Sequence, residues 1–382
     1  CGVERCLFGN GKELHFKKLM DFDTIGGKSN KNGARFDLDA MYVNWLGLSL
    51  KCYLPKSENS LSYVWESLKG KISYCNIKRL MFSSGWRYYA EIVVSGAAPT
   101  RVSIGTSTMG IDPGVSTIAG VSEDACVLEE LAPNAIQYEK KIQKISQSMD
   151  RSRRISNPNK YNEDGTINRS NRDPWKYSKN YVKMCRLLKS LYRKKHAYIV
   201  DSHRELCNKL ITIAKYFPVE KMHFQALQKR AKETKRQEKK TEVKQKDGTV
   251  KVIQKYKRKK RFGRSINRRA PARFLLELKR KAEAVGGVYA EVDTKEFKAS
   301  QYNHVTDTYE KIPLSQREKE IGKRKVQRDL YSAFLIRNAD LDFKHPDREK
   351  CEYEFEYFAD MQDQLILKMK ESGLSMRQCF GF

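Results

Sequence analysis

The stretch MGIDPGVSTIAGVS, residues 109–122, sets one carboxylate, Asp112, between two short apolar runs and then turns the chain with Pro113 and Gly114. It reads as a strand over 109–112 followed by a second strand over 115–122. An aspartate in a strand is costly to bury unless a side chain, a turn or a cation answers it. Gly110 and Gly114 strip side chains from its surroundings, so a backbone or a phosphate can come close. Alone, the Asp-Pro-Gly run fits equally well an aspartate that caps a turn.

The chain around it has 382 residues, 40% of them apolar, enough for two or three compact units. Its formal charge of +29 points to a polyanionic partner, nucleic acid before an anionic membrane surface. There is no apolar run of transmembrane length and no secretory signal pattern, so a cytoplasmic, nucleoid-associated protein without a membrane partner is expected. The cysteines stand at 1, 6, 52, 75, 126, 185, 207, 351 and 379, with no Cys-x-x-Cys pair. That pattern suggests reduced thiols and speaks against a cysteine zinc site. The start at Cys1 rather than Met, inside strand-like sequence, suggests a preceding segment.

Residues 1 to about 100 read as β-rich, with Gly-, Ser- and Asn-rich breaks. Lys78, Arg79, Trp86, Arg87, Tyr88 and Tyr89 interleave charge with aromatic rings. That is either an RNA-binding surface or the ordinary solvated face of a β-barrel. Helices are expected over the run ending at Asn157-Pro158 and over 178–215, the latter amphipathic with a basic polar face. A polar loop over 157–174 joins them. Residues 228–264 carry seventeen Lys or Arg against four Asp or Glu, a basic arm suited to tracking phosphates. PARFLLELKRKAEAVGG reads as a helix opened by Pro271 and ended by Gly286-Gly287, and VYAEVDT as a strand. KVQRDLYSAFLIRNA reads as a helix, and the acidic-aromatic tail after Asp340 as another. This order suggests an α/β core with a large helical and basic insertion.

A basic α/β protein with scattered carboxylates raises the question of phosphodiester cleavage, which can use clustered acids holding two Mg²⁺ about 4 Å apart. Asp112 is the first acid set in an apolar element. Glu220, in YFPVEKMHF, is the second; taken singly it reads as an edge-strand glutamate facing water. Asp329, in VQRDLYSAF, is the third; in a first helical turn it already complements the helix dipole. Asp293, in AEVDT, is a further candidate.

In combination and in this order the three resemble the motifs of the TnpB/OrfB proteins encoded by insertion sequences, relatives of type V CRISPR effectors. MGIDPGVS is similar to their first RuvC motif, VEKMHFQALQKR to the second and QRDLYSAFLI to the third, Arg-Asp-x-Asn-Ala-Ala. The similarity runs from about residue 10 to 340 and is strongest over 109–122, 157–166, 219–235 and 270–336. It implies a wedge-like β-barrel domain at 1–105, incomplete at its N-terminus. A RuvC-like nuclease of RNase H fold at 106–340 would follow, with a helical region at 134–215 and the basic segment at 228–264. The acidic-aromatic tail would be 341–382. The implied activity is RNA-guided, Mg²⁺-dependent cleavage of DNA (Mn²⁺ substituting), with a guide RNA and target DNA as partners and a link to transposition. Asp112, Glu220 and Asp329 would be catalytic and hold the metal. Arg258, Lys259, Lys260, Arg261, Arg264 and Arg328 would bind nucleic acid, Arg328 at the scissile phosphate or else as a solvated helix-end arginine. The alternatives are a guided DNA-binding repressor with weak or no cleavage, or a transposase. One departure stands out: the family's zinc ribbon would fall at 297–326, where this chain has no cysteine and one histidine, His304. No zinc is expected there.

Overall fold

The computed structural model describes residues 6–7, 22–100, 102–163, 165–228, 236–244, 250–256, 262–313 and 315–374. The chain divides into two compact units, 1–99 with 140–194, and 100–139 with 195–382.

The first unit begins with β1 (Thr24–Gly26), β2 (Arg35–Asp37), β3 (Tyr42–Trp45) and β4 (Leu48–Lys51). Helix α1 (Glu58–Leu68) and the long hairpin β5 (Lys71–Phe82) and β6 (Gly85–Ser95) follow. They form two three-stranded sheets, β1-β5-β6 and β2-β3-β4. The sheets share a core of Ala34, Phe36, Val43, Leu68 and Cys75. The expected barrel is therefore not closed among the described residues. Strands β1 to β4 are only three or four residues long. Such short strands supply too few ladder bonds to join two sheets edge to edge.

The second unit is built on β7 (Ser107–Thr108), β8 (Gly110–Pro113), β9 (Thr117–Val121) and β10 (Cys126–Glu130). Helices α2 (Ala135–Ser156) and α3 (Lys179–Ile213) come next; each belongs in part to both units. Asn157 stops α2: its buried side chain bonds Arg153 O and both the carbonyl and amide of Lys176. The chain continues through β11 (Ala214–Glu220), α4 (Phe224–Gln228) and the hairpin β12 (Arg236–Lys244) and β13 (Val250–Tyr256). Part of the segment expected to be a basic arm is thus a two-stranded ribbon. Then come α5 (Gly263–Arg269), α6 (Pro271–Ala284), β14 (Val288–Val292) and α7 (Thr294–Phe297). Two small hairpins, β15 (Tyr302–Asn303) with β16 (Thr308–Tyr309) and β17 (Glu318–Ile321) with β18 (Arg324–Gln327), lead into α8 (Arg328–Arg337) and α9 (Arg348–Glu371).

The main sheet has the order β10-β9-β8-β11-β14, with β7 beside β11. Strands β8, β9 and β10 are antiparallel neighbours, whereas β11 runs parallel to both β8 and β14. The first strand of the series thus lies at its centre. Both faces are covered, which is why these strands read as apolar runs rather than clean alternations. On one face Met109, Ile111, Phe217 and Val219 pack on Cys207 and Leu210 of α3 and on Phe274 and Leu278 of α6. On the other, Ala119, Val121, Leu128 and Val292 pack on Leu330, Phe334 and Ile336 of α8 and on Phe355 and Phe358 of α9. The acidic-aromatic tail is therefore a 24-residue helix whose aromatic stripe completes the core.

Two buried histidines belong to these cores. His203 of α3 meets Phe274 edge-on. His304 accepts or donates one bond at 2.8 Å with the Tyr331 hydroxyl and lies against Phe355. Burial pushes both rings down to about 4. A histidine held below its ordinary value near 6.5 adds stability above that value and loses it as pH falls towards 4. Between pH 7 and pH 4.5 the wild-type chain should lose about 2 kcal/mol relative to His304→Gln, read from urea unfolding. Parallel profiles for the two proteins would show that the ring is protonated in place without cost.

Candidate active site

Strands β8 and β11 run side by side with Ile111 opposite Val219. One residue on, Asp112 and Glu220 are therefore neighbours, pointing to the same face of the sheet. Both are half-buried. The two carboxyl groups share a hydrogen bond. Burial first, then the charges of Glu220 and Asp329, hold the Asp112 carboxyl well above the usual range; the nearby Arg328 opposes this. Burial and the charge of Asp329 likewise raise Glu220, against the bond from Asp112. Two carboxylates this close disfavour each other's ionisation, which is the direction of both shifts.

Asp329 arrives on α8, which crosses the same face. Gly110 permits the approach: a Cβ there would lie 2.2 Å from the carbonyl oxygen of Ala333 and 2.3 Å from the amide nitrogen of Arg337. Gly110 and Asp112 are two residues apart and share a face, and Asp329 lies one turn before Ala333. The helix thus runs back along the strand and delivers Asp329 towards Asp112. The cap of α8 is well made. The Gln327 side chain accepts from Leu330 N at 2.7 Å, and Gln327 N donates to Gln362 of α9 at 2.7 Å.

Asp329 itself is engaged by cations. Arg328 donates to its Oδ1 at 2.9 and 3.2 Å, and Arg317 and Gln327 to its Oδ2, each at 3.4 Å. Arg328 is buried and also bonds Gln316 O. That corrects the expectation of a solvated helix-end arginine: the packing of α8 draws its side chain inward. Among the described residues no three His, Cys, Asp or Glu side chains converge closely enough to hold a metal ion as they lie. The donor set nevertheless suits a hard divalent cation: three carboxylates, oxygen donors that carry negative charge. Asp293, the further candidate, caps α7 by accepting from Lys295 N at 2.7 Å.

Arg317 and Gln327 were not legible as site residues. Gln327 adjoins the motif, but Arg317 is 12 residues from Asp329 in an irregular stretch. Only strand pairing joins them: Glu318 lies opposite Gln327, and Arg328 N donates to Arg317 O at 2.8 Å.

Of the expected nucleic-acid ligands, Arg264 is exposed on α5, while Arg258, Lys259, Lys260 and Arg261 lie outside the described residues. The basic-aromatic stripe of the first unit is partly self-satisfied. Arg79 and Lys189 lie over Trp86 at 4.3 and 4.6 Å, and Arg87 and Arg193 over Phe82 at 4.6 and 3.8 Å. Tyr88 and Tyr89 stay exposed and line an open cavity of about 1300 Å³ with Met41, Tyr53, Tyr63 and Arg87. His304 and Lys319 fill the expected zinc-ribbon region as core groups, Lys319 donating to Tyr302 O at 2.6 Å. No helix of the described residues is long and apolar enough to cross a membrane.

No protein-family model matches the chain, and no curated protein does. Among solved structures it is similar to the cryo-EM Cas12f1–sgRNA–target DNA complex, at 12% identity and a TM-score of 0.43, over 74% of this chain and 48% of that one. It is also similar to the CRISPR–Cas12f ternary complex, at 13% identity and a TM-score of 0.32, over 83% of this chain and 51% of the other. The chain spans about half the length of these structures.

Proposed function

We propose that this chain is a divalent-metal-dependent nuclease with an RNase H-like core, acting on DNA under the direction of a bound RNA. The observation that carries the reading is the hydrogen-bonded pair Asp112 and Glu220 at adjacent parallel strand ends, with Asp329 brought towards them by α8. The strand order, with β8 central, the antiparallel β9 and then β10 on one side and the parallel β11 on the other, supports the core assignment. Asp112, Glu220 and Asp329 would hold magnesium, which supplies Lewis-acid activation of a phosphodiester. The chain's own part is to strip water from the pair, keep Asp329 on a capped helix, and draw phosphates in with its charge of +29. The guide would supply sequence specificity by base pairing while the protein reads backbone shape, as in other RNA-guided effectors. The three motifs that resemble the insertion-sequence family support a link to a transposable element.

The test is plasmid cleavage in Mg²⁺ by the full chain purified with its RNA. Linearised plasmid that disappears on chelation is the expected result, and one defined co-purifying RNA species supports guidance. Specific RNA-dependent DNA binding without any cleavage would favour a guided repressor, and joined ends in a strand-transfer assay would favour a transposase.

A further inference from the structure

Asp329 pairs with two arginines, and they reach it from a single device. The hairpin of β17 and β18 is extended by the bond from Arg328 N to Arg317 O at 2.8 Å. Its two strands therefore end in facing arginines, and both guanidinium groups bond the Asp329 carboxylate. Arg328 is buried beneath it. Arg317 is different: its side chain is 44% exposed and takes the outer oxygen, Oδ2, at 3.4 Å. An exposed pair of this length is weak and readily exchanged.

We propose that Arg317 is a latch on the candidate site: it positions Asp329 in the cation-free chain and competes with a divalent cation for Oδ2. The proposal rests on the assignment of Asp329 to the metal site. Three features of the geometry carry it. Asp329 is turned to the arginines, and the three carboxylates do not converge as they lie. Arg317 is tethered by its backbone to the residue beside Asp329, so it stays near when displaced. Its exposure leaves the guanidinium free to swing into solvent, whereas Arg328 has no such path. A ligand that binds only the unlatched arrangement is weakened in proportion to how far the latched one is preferred.

The test is calorimetric titration of Mn²⁺ alone into the full chain, without nucleic acid. Arg317→Gln should bind Mn²⁺ about 2- to 5-fold more tightly than wild type, the range for loss of one exposed competing ion pair. Arg317→Lys, which keeps the charge, should stay near wild type. Arg324→Gln removes a charge from the same hairpin where it pairs with Asp360 of α9, and should leave Mn²⁺ affinity unchanged. Far-UV circular dichroism checks that each variant is folded. Equal or weaker binding by Arg317→Gln overturns the latch, since a residue that merely supports Asp329 would weaken binding when removed. Equal tightening by Arg324→Gln overturns it too, by reducing the effect to bulk charge. Asp112→Asn separates the two levels: if it binds Mn²⁺ like wild type, the metal-site assignment itself fails.

Discussion

Replacing Asp112 by asparagine is expected to lower metal-dependent cleavage by more than about 100-fold while stabilising the metal-free chain at neutral pH. The two effects have one cause. Asp112 sits in hydrogen bond with Glu220, and burial together with the charges of Glu220 and Asp329 raises its carboxyl well above the ordinary range. A carboxyl raised in the folded state binds its proton more tightly there than in the unfolded chain. Its contribution to stability is full at low pH and drains away as pH rises through the folded value. An amide keeps the hydrogen bond to Glu220 and never ionises, so the loss at neutral pH disappears. The amide also supplies one oxygen without charge, which is a poor ligand for a hard cation. Urea unfolding at pH 7 and a cleavage assay on the same preparation check both halves. A variant that is less stable than wild type at pH 7 would refute the raised carboxyl, and one that cleaves at the wild-type rate would refute the site.

Gly110→Ala should destabilise the chain by about 3 kcal/mol or more. The added Cβ would meet backbone of α8 at 2.2 and 2.3 Å, not the end of a flexible side chain. Nothing local can yield, so the helix must lift from the sheet. That opens the core between β8 and Phe334 and Ile336, and it carries Asp329 away from Asp112. The variant should therefore lose Mn²⁺ affinity as well as stability, read by titration and by urea unfolding. Wild-type values for both would mean that α8 is not seated on Gly110 as described.

Much of the architecture was open to a reader of the residues. The runs expected as helices over 178–215 and from Pro271 are helices at Lys179–Ile213 and Pro271–Ala284, and the apolar stretches around Asp112, Glu220 and Val288 are strands. Their periodicity is local, so sequence carries it. Other features depend on partners distant in the chain. KVQRDLYSAFLIRNA reads as one helix, yet its first three residues, Lys325 to Gln327, belong to a strand, because pairing with Glu318–Ile321 outweighs helix propensity up to the Gln327 cap. The stripe of Arg79, Trp86 and Arg87 looks free to stack bases, yet Lys189, over 100 residues on, covers the Trp86 ring. The grouping of 140–194 with 1–99 has no mark in composition at all.

From charge and motif order alone followed a polyanionic partner and three acids worth suspecting. Each of those acids had an ordinary explanation of its own: a turn, an edge strand, a helix terminus. What the tertiary structure decided is their proximity, because it is the parallel register of β8 with β11 that sets Asp112 beside Glu220. The missing Cβ at Gly110 then lets α8 bring in Asp329. Burial, and proximity to acids 108 and 217 residues further along the chain, raise the Asp112 carboxyl's proton affinity; no pattern of neighbours along the sequence does. The arginines that now hold Asp329 could be seen only in the fold, since they reach it through a strand pairing that spacing does not announce.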